Sequence, residues 1–265
     1  MTLSATIKAR IWHFLERCVP FLPERLRLLI LMQPLILPLG YQDIKLIVDS
    51  DREYYGRRSP KGEPETVRWV EESMGASSVF YDIGANVGVY SLIAARRHPG
   101  IQIVAFEPAG PNYGILVANM ALNKVAVPLL PIALGGRTRI DAFAYSTLRS
   151  GGARHQLGGR TDYVFQHPVI AYRLDELIQT FHLPPPTHLK IDVDGTERDI
   201  LRGAERTLGN VRSMIVEINR DPGDLLGWLE QRGFKVVLRG SEHQAKHNAN
   251  YWLERQQMSR AQPEI

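Results

Sequence analysis

From residue 63 onward the chain switches repeatedly between two hydrophobic periods. In EPETVRWVEESMG (63–75), Val67, Val70 and Met74 fall on one helical face, Pro64 suits a helix start, and Gly75 a stop. SVFYDI (78–83) is a nearly continuous apolar run of strand length. A helix over 87–98, a strand over 101–107, a helix over 111–124 and a strand over 127–134 come next, the last despite its prolines. A strand over 187–193, a helix over 196–209, a strand over 212–218, a helix over 224–233 and a strand over 234–238 continue the rhythm. Residues 251–256 read as a last strand that hairpins back. Apolar strands alternating with helices predict an α/β, doubly wound, mostly parallel sheet covered on both faces.

Two stretches depart from this rhythm. Between 135 and 172, TRIDAFAYS alternates like a strand among clustered glycines. It reads as a β-insert before the fourth core strand, either an ordinary one or a lid over the active site. In residues 1–60, Ile7, Ile11, Phe14, Leu15 and Cys18 lie at helical spacing, with Lys8, Arg10 and Arg17 off that stripe. This amphipathic helix either caps the domain or gives residues 1–40 a peripheral membrane contact. A strand and turn come after it at 41–55. The expected organisation is an N-terminal extension over 1–60 and a main domain over 61–265.

Composition narrows the field only slightly. The chain has 265 residues, 44% of them apolar and 23% charged, as in ordinary globular proteins. A net charge of +4 permits an anionic partner without requiring one. The single cysteine, Cys18, leaves no disulfide framework and no cysteine-based zinc site. The best apolar run, 28–40, is broken by Gln33, Pro34 and Pro38, well short of the ~20 residues a membrane-spanning helix needs. A cytoplasmic location is expected.

The chemistry concentrates at the first strand-to-helix turn, Asp82-Ile83-Gly84-Ala85-Asn86-Val87-Gly88. Ligands of doubly wound sheets sit at such strand ends. Gly84 and Gly88 can let the backbone approach a ligand, and amides near them suit a carboxylate. A dinucleotide site wants glycine where Asn86 and Val89 stand, and Asp82 would repel phosphates. Glu107, which ends the next strand before Pro108, can accept hydrogen bonds from both hydroxyls of a ribose. Together these features suit S-adenosylmethionine, which carries an ammonium and a sulfonium and no phosphate, better than NAD(P).

Four blocks in register, DIGANVGVYSLIAA, AFEPAGPNYGILVANMALN, HLKIDVDGTERDILRGAERTL and IVEIN, resemble the FkbM-type family of S-adenosylmethionine-dependent methyltransferases. The likeness runs from about Glu63 to about Asn219. It implies a Rossmann-like class I methyltransferase sheet of seven strands, the last antiparallel, and O-methylation of hydroxyls on small molecules, sugars or glycans. By motif position it places Asp82, Gly84, Ala85, Asn86 and Gly88 at the methionine end of the donor, and Glu107 and Pro108 at the ribose.

For the transfer step, Asp192 is the candidate contact for the methyl donor or the acceptor hydroxyl. Asp192 and Asp194 would share one side of a strand. His155, flanked by glycines, is the candidate base. No Asn/Asp-Pro-Pro-aromatic motif is present, which points away from nucleic-acid amines and toward oxygen. No metal is expected; were one present, Asp192, Glu217 and Asn219 are the oxygen ligands in reach. Arg149, Arg154 and Arg160 could bind an anionic acceptor. Asn119 fits either the site or a packing hydrogen bond. The rival readings are an NAD(P)-dependent oxidoreductase and a non-catalytic partner-binding domain of the same fold.

Overall fold

The computed structural model describes residues 35–50, 59–152, 155–158, 162–219, 223–240 and 248–256. The expected amphipathic helix, Arg154 and Arg160 lie outside these residues. The chain divides into Met1–Ile36 and Leu37–Ile265.

At the centre of the second unit is a seven-stranded sheet built from β3 (Val79–Ile83), β4 (Gln102–Phe106), β5 (Leu129–Leu130), β10 (His188–Ile191), β11 (Ser213–Asn219), β12 (Phe234–Arg239) and β13 (Asn248–Arg255), in the order β12-β13-β11-β10-β3-β4-β5. β3 pairs in parallel with both β10 and β4, and β10 with β11. β13 runs antiparallel to β11 and to β12. The chain therefore winds outward from β3 through β4 and β5, then returns to the other side of β3 at β10. That reversal leaves a crevice at the strand ends, where doubly wound folds bind their ligands.

Strand alternation sends successive side chains to opposite faces, and both faces are buried. Phe80, Ile103, Ala105 and Ile215 pack against Trp69, Leu92, Ile93, Leu116 and Met120 of α1 (Pro64–Ser73), α2 (Val89–Arg97) and α3 (Gly110–Leu122). Tyr81, Ile83, Val104, Leu189, Met214 and Val216 pack on the other face. Their partners include Leu174, Leu177, Ile200 and Leu229 of α4 (Leu174–Phe181), α5 (Glu197–Gly203) and α6 (Gly223–Glu230). Each such apolar side chain contributes roughly 1.5–3 kcal/mol on burial. Trp69, fully buried, also satisfies its indole by donating to Ser213 Oγ at 2.8 Å. Asp175 caps the 3₁₀ turn Thr207–Asn210, accepting from the Thr207 amide at 2.8 Å and hydroxyl at 2.6 Å.

Two expected elements change at their ends. The strand over 127–134 is cut by Pro131, which has no N–H for a ladder. Leu129–Leu130 stay in the central sheet, and β6 (Ala133–Leu134) joins a second sheet with β7 (Arg139–Tyr145), β8 (Gln156–Leu157) and β9 (Phe165–Tyr172), ordered β6-β9-β7-β8. This second sheet is the insert. β10 stops at Ile191, so Asp192 and Asp194 lie past the strand and do not share a side by strand alternation; Gly195 turns the chain there with φ +95°.

Nearer the N-terminus, β1 (Leu35–Pro38) leads to β2 (Lys45–Val48), and β2 is tied to α3. Asn119 Oδ1 accepts from the Ile47 amide at 2.7 Å, and Asn123 both accepts from and donates to the Lys45 backbone. The Asn119 amide nitrogen donates to Val87 O at 2.9 Å, which is the packing reading of that residue.

Candidate active site

The crevice is a cleft of about 730 Å³, counting space open to solvent. Gly84, Asn86, Glu107, Asn112, His155 and Asp192 are among the residues on its walls. Pro108 also borders it. Among the described residues, no Lys or Arg lines it.

The glycine turn owes its glycines to packing. Gly84 has φ +77°, and a Cβ there would sit 2.0 Å from the Asp192 carbonyl oxygen. Gly88 has φ +89°, and its Cβ would meet Leu116 at 2.6 Å and Met120 at 2.8 Å. Both glycines thus let β3 and α2 approach β10 and α3. The turn amides are largely engaged internally. Gly84 and Ala85 donate to Phe106 O at 3.0 and 2.9 Å, and Gly88 to Ala85 O at 2.8 Å. The expected carboxylate cradle of amides is therefore occupied by the fold's own carbonyls. Ala85 and Gly88 shape the turn without bordering the cleft.

Glu107 is the most fully hydrogen-bonded carboxylate on the cleft wall. It is 5% exposed, its Oε2 accepts from the Asn86 amide at 2.8 Å, and its Oε1 from the Ala109 amide at 2.9 Å. Burial nonetheless pushes its pKa up to about 7, against those hydrogen bonds and with Asp82 adding to the rise. A carboxylate has about four acceptor sites. Two are used by backbone and the Asn112 side chain draws on a third, which leaves one for a ribose diol.

Beside it, the amide groups of Asn112 and Asn86 donate to Gly152 O at 3.1 and 3.5 Å. Ser50 donates to the neighbouring Ser150 O at 2.8 Å. The loop after β7 is thereby pinned over the cleft. Oδ1 of Asn86 and Oδ1 of Asn112 are buried, with no hydrogen-bond partner among the described residues. Asn86 holds its place with φ +51°, which Asn tolerates better than most residues.

Asp82 does not border the cleft. It is fully buried in β3, where Oδ2 accepts from the Ser91 hydroxyl at 2.7 Å and Oδ1 lies 3.5 Å from Lys190 Nζ. Lys190 in turn reaches Asp192 Oδ2 at 3.0 Å. Sequence reasoning missed Lys190. Its signal was a lysine inside an otherwise apolar strand, where a charge needs a partner.

His155 borders the cleft and lies tilted against Phe143 and Tyr145, with centroids 6.0 and 5.2 Å away. Its Nδ1 accepts from the Ser146 amide at 3.3 Å, so the neutral ring carries its proton on Nε2. His167 instead pairs with the Tyr145 hydroxyl at 2.9 Å. Of the metal ligands considered, Glu217 accepts from Asn248 at 2.6 Å. Among the described residues, no three His, Cys, Asp or Glu side chains are grouped to hold a metal. Glu197, at the start of α5, is a buried carboxyl. Burial raises its pKa to about 7, with Asp194 and Asp192 adding to the rise. No helix among the described residues is long and apolar enough to cross a membrane.

The donor set decides what fits. A buried carboxylate with a spare acceptor site and two unpartnered amide oxygens suit a ligand rich in hydroxyl and ammonium donors. A wall on which the described residues place no Lys or Arg does not suit a pyrophosphate. S-adenosylmethionine meets both conditions.

Comparison with known proteins agrees. The Methyltransferase FkbM domain matches residues 82–236, more than half of the chain. Hexuronic acid methyltransferase AglP of Haloferax volcanii is 26% identical over 200 residues, covering 75% of this chain and 80% of that protein. The 31-O-demethyl-FK506 methyltransferase FkbM of Streptomyces tacrolimicus is 30% identical over 190 residues, covering 60% of this chain and 73% of that protein. A solved structure of methyltransferase FkbM from Methylobacillus flagellatus KT aligns with a TM-score of 0.48 at 17% identity, over 68% of this chain and 44% of that one. The chain belongs to the FkbM-type family of S-adenosylmethionine-dependent methyltransferases.

Proposed function

We propose that the protein methylates a hydroxyl oxygen on a small molecule, sugar or glycan. The observation that carries the donor site is the cleft around Glu107, with its unpartnered amide oxygens and no Lys or Arg among the described residues of its wall. Glu107 receives the ribose diol, and Asn86 and Asn112 supply further acceptors. Bound there, S-adenosylmethionine supplies a methyl group already activated by its sulfonium. The chain's own task is to orient the acceptor and exclude water, which in well-oriented cases is worth up to roughly 7–11 kcal/mol.

The donor end opposite the ribose falls toward β10. Glu107 comes after β4, Gly84 after β3 and Asp192 after β10, and these strands are neighbours in that order. A ligand anchored at Glu107 and crossing Gly84 therefore brings its amino-acid end to Asp192. His155 borders the cleft, but with its proton on Nε2 the neutral ring offers a donor there and not the lone pair a base needs. The base role expected of it is therefore not supported, and the hydroxyl's proton passes to solvent as the methyl–oxygen bond forms and the methyl–sulfur bond breaks. The two relatives, named for a hexuronic acid and for 31-O-demethyl-FK506, support oxygen as the accepting atom.

The test is transfer of labelled methyl from S-adenosylmethionine to a panel of hexuronic acids, neutral sugars, polyhydroxylated macrocycles and amines, with products identified by mass spectrometry. Methyl ethers are expected. Label found only on amine nitrogen would overturn the reading.

A further inference from the structure

Asp82 and Lys190 are charged, buried and outside the cleft, and the transfer step does not use them. Lys190 is 3% exposed and lies between two carboxylates, 3.5 Å from Asp82 Oδ1 and 3.0 Å from Asp192 Oδ2. The contact to Asp82 comes from sheet register, since Lys190 and Asp82 are paired positions of the parallel strands β10 and β3. Asp82 is anchored in turn by the Ser91 hydroxyl at 2.7 Å. The Tyr90 ring, 5.2 Å from Nζ, covers the ammonium.

A buried ammonium needs a counter-charge, and Lys190 has two: Asp82 across the sheet and, hydrogen-bonded, Asp192. Asp192 is the outer of the pair. Its side chain is 37% exposed, and it borders the cleft. Glu63, bonded to the Tyr90 hydroxyl, adds a further carboxylate near Lys190, so the negative groups outnumber the ammonium, and Asp192 is the one of them on the cleft wall. We propose that Lys190, tethered by Asp82 and Ser91, is a positioning residue that holds the Asp192 carboxylate at the cleft wall to receive the ammonium end of the methyl donor. Asp82 acts on the cleft only through Lys190. With Asp82 neutral, Lys190 turns wholly to Asp192, and the carboxylate attracts the donor ammonium less.

This inference rests on the donor placement proposed for the cleft. Its test uses two probes, S-adenosylhomocysteine, which has the ammonium, and 5′-methylthioadenosine, which lacks the amino-acid end. Titration calorimetry on the full chain gives both affinities. Asp192→Asn and Asp82→Asn are each expected to weaken S-adenosylhomocysteine about tenfold, or about 1.4 kcal/mol, and to leave 5′-methylthioadenosine within about twofold. The double variant is expected to lose no more than Asp192→Asn alone, because both act through one carboxylate.

A purely structural role would weaken both probes alike. That outcome, or losses that add in the double variant, overturns the inference. Asp82→Asn keeps an oxygen for Ser91, and circular dichroism checks its fold. If it does not fold, Ser91→Ala loosens the same tether from outside the ion pair, with a selective loss of about threefold expected; an unselective or absent effect overturns the inference. A wild-type chain that binds neither probe overturns the donor placement and this inference together. A wild-type chain that binds both, with Asp82→Asn silent, overturns the inference alone.

Discussion

Replacing Glu107 by Gln removes a charge and one acceptor oxygen from a position that already serves two backbone amides. In the carboxylate, a diol hydroxyl finds a spare lone pair, and such a charge-assisted bond is worth roughly 1.5–3 kcal/mol. In the amide, one oxygen becomes an NH₂ facing a donor, so at least one partner goes unmatched. The expected cost at pH 8 is about 2–3 kcal/mol, roughly 30- to 150-fold in affinity for S-adenosylhomocysteine.

The pH dependence sharpens this test. The Glu107 carboxyl takes up its proton as pH falls through about 7, and the proton replaces an acceptor. If the diol takes only the carboxylate, wild-type affinity drops about tenfold between pH 8 and pH 6. Glu107→Gln has no such proton and is expected to bind weakly with a flat profile. Glu197 is also raised to about 7, so Glu197→Gln is the control and is expected to keep the wild-type slope. Calorimetry across pH 6–8, with circular dichroism at each point, makes the measurement. A Glu107→Gln variant that binds as tightly as wild type, or that keeps the slope, would refute the ribose assignment.

Two further outcomes test the fold beneath the site. Gly84→Ala must adopt φ +77° and clear an oxygen 2.0 Å away, so a loss of about 2–5 kcal/mol in urea unfolding is expected; a change under about 0.5 kcal/mol would refute the packing account of that glycine. His188 is buried and its pKa is lowered to about 4, so its contribution is present above about 6.5 and lost as pH falls through about 4. Glu107, raised instead, contributes stability that is full below about 4.5 and lost as pH rises through about 7, so the two oppose each other between pH 5 and 7. The signature of His188 is thus a difference: wild type should lose about 2 kcal/mol more than His188→Gln between pH 7 and pH 5, and equal losses would refute it.

The sheet was legible because its strands are buried on both faces and read as apolar runs separated by helical periods. Glu107 was legible because an acid ending the second strand sits at a known kind of crevice. What escaped depended on contacts between distant positions. Nothing local distinguishes Asp82 as a partner of Lys190, 108 residues away, until β3 and β10 are set in register. Gly84 looked like a ligand-binding glycine, yet its need for hydrogen comes from the carbonyl of Asp192. The reading of Asp192 and Asp194 as strand neighbours failed because β10 ends at Ile191, and apolar Val193 masked that end. Asn119 was ambiguous by sequence, and its partners on β2 and at Val87 show the packing use.

The break at Pro131 divides labour within the molecule. With only Pro131 and Ile132 between β5 and β6, one continuous segment passes from the edge of the main sheet into the insert, and Ile132, Ala133 and Leu134 border the cleft as it does so. That wall is stitched at both ends and offers little play. The loop after β7 is held as well, since Asn86 and Asn112 grip the Gly152 carbonyl and Ser50 the Ser150 carbonyl. The acceptor's side of the cleft is thus fastened to the same residues that shape the donor's side, and a substitution on one is felt by the other.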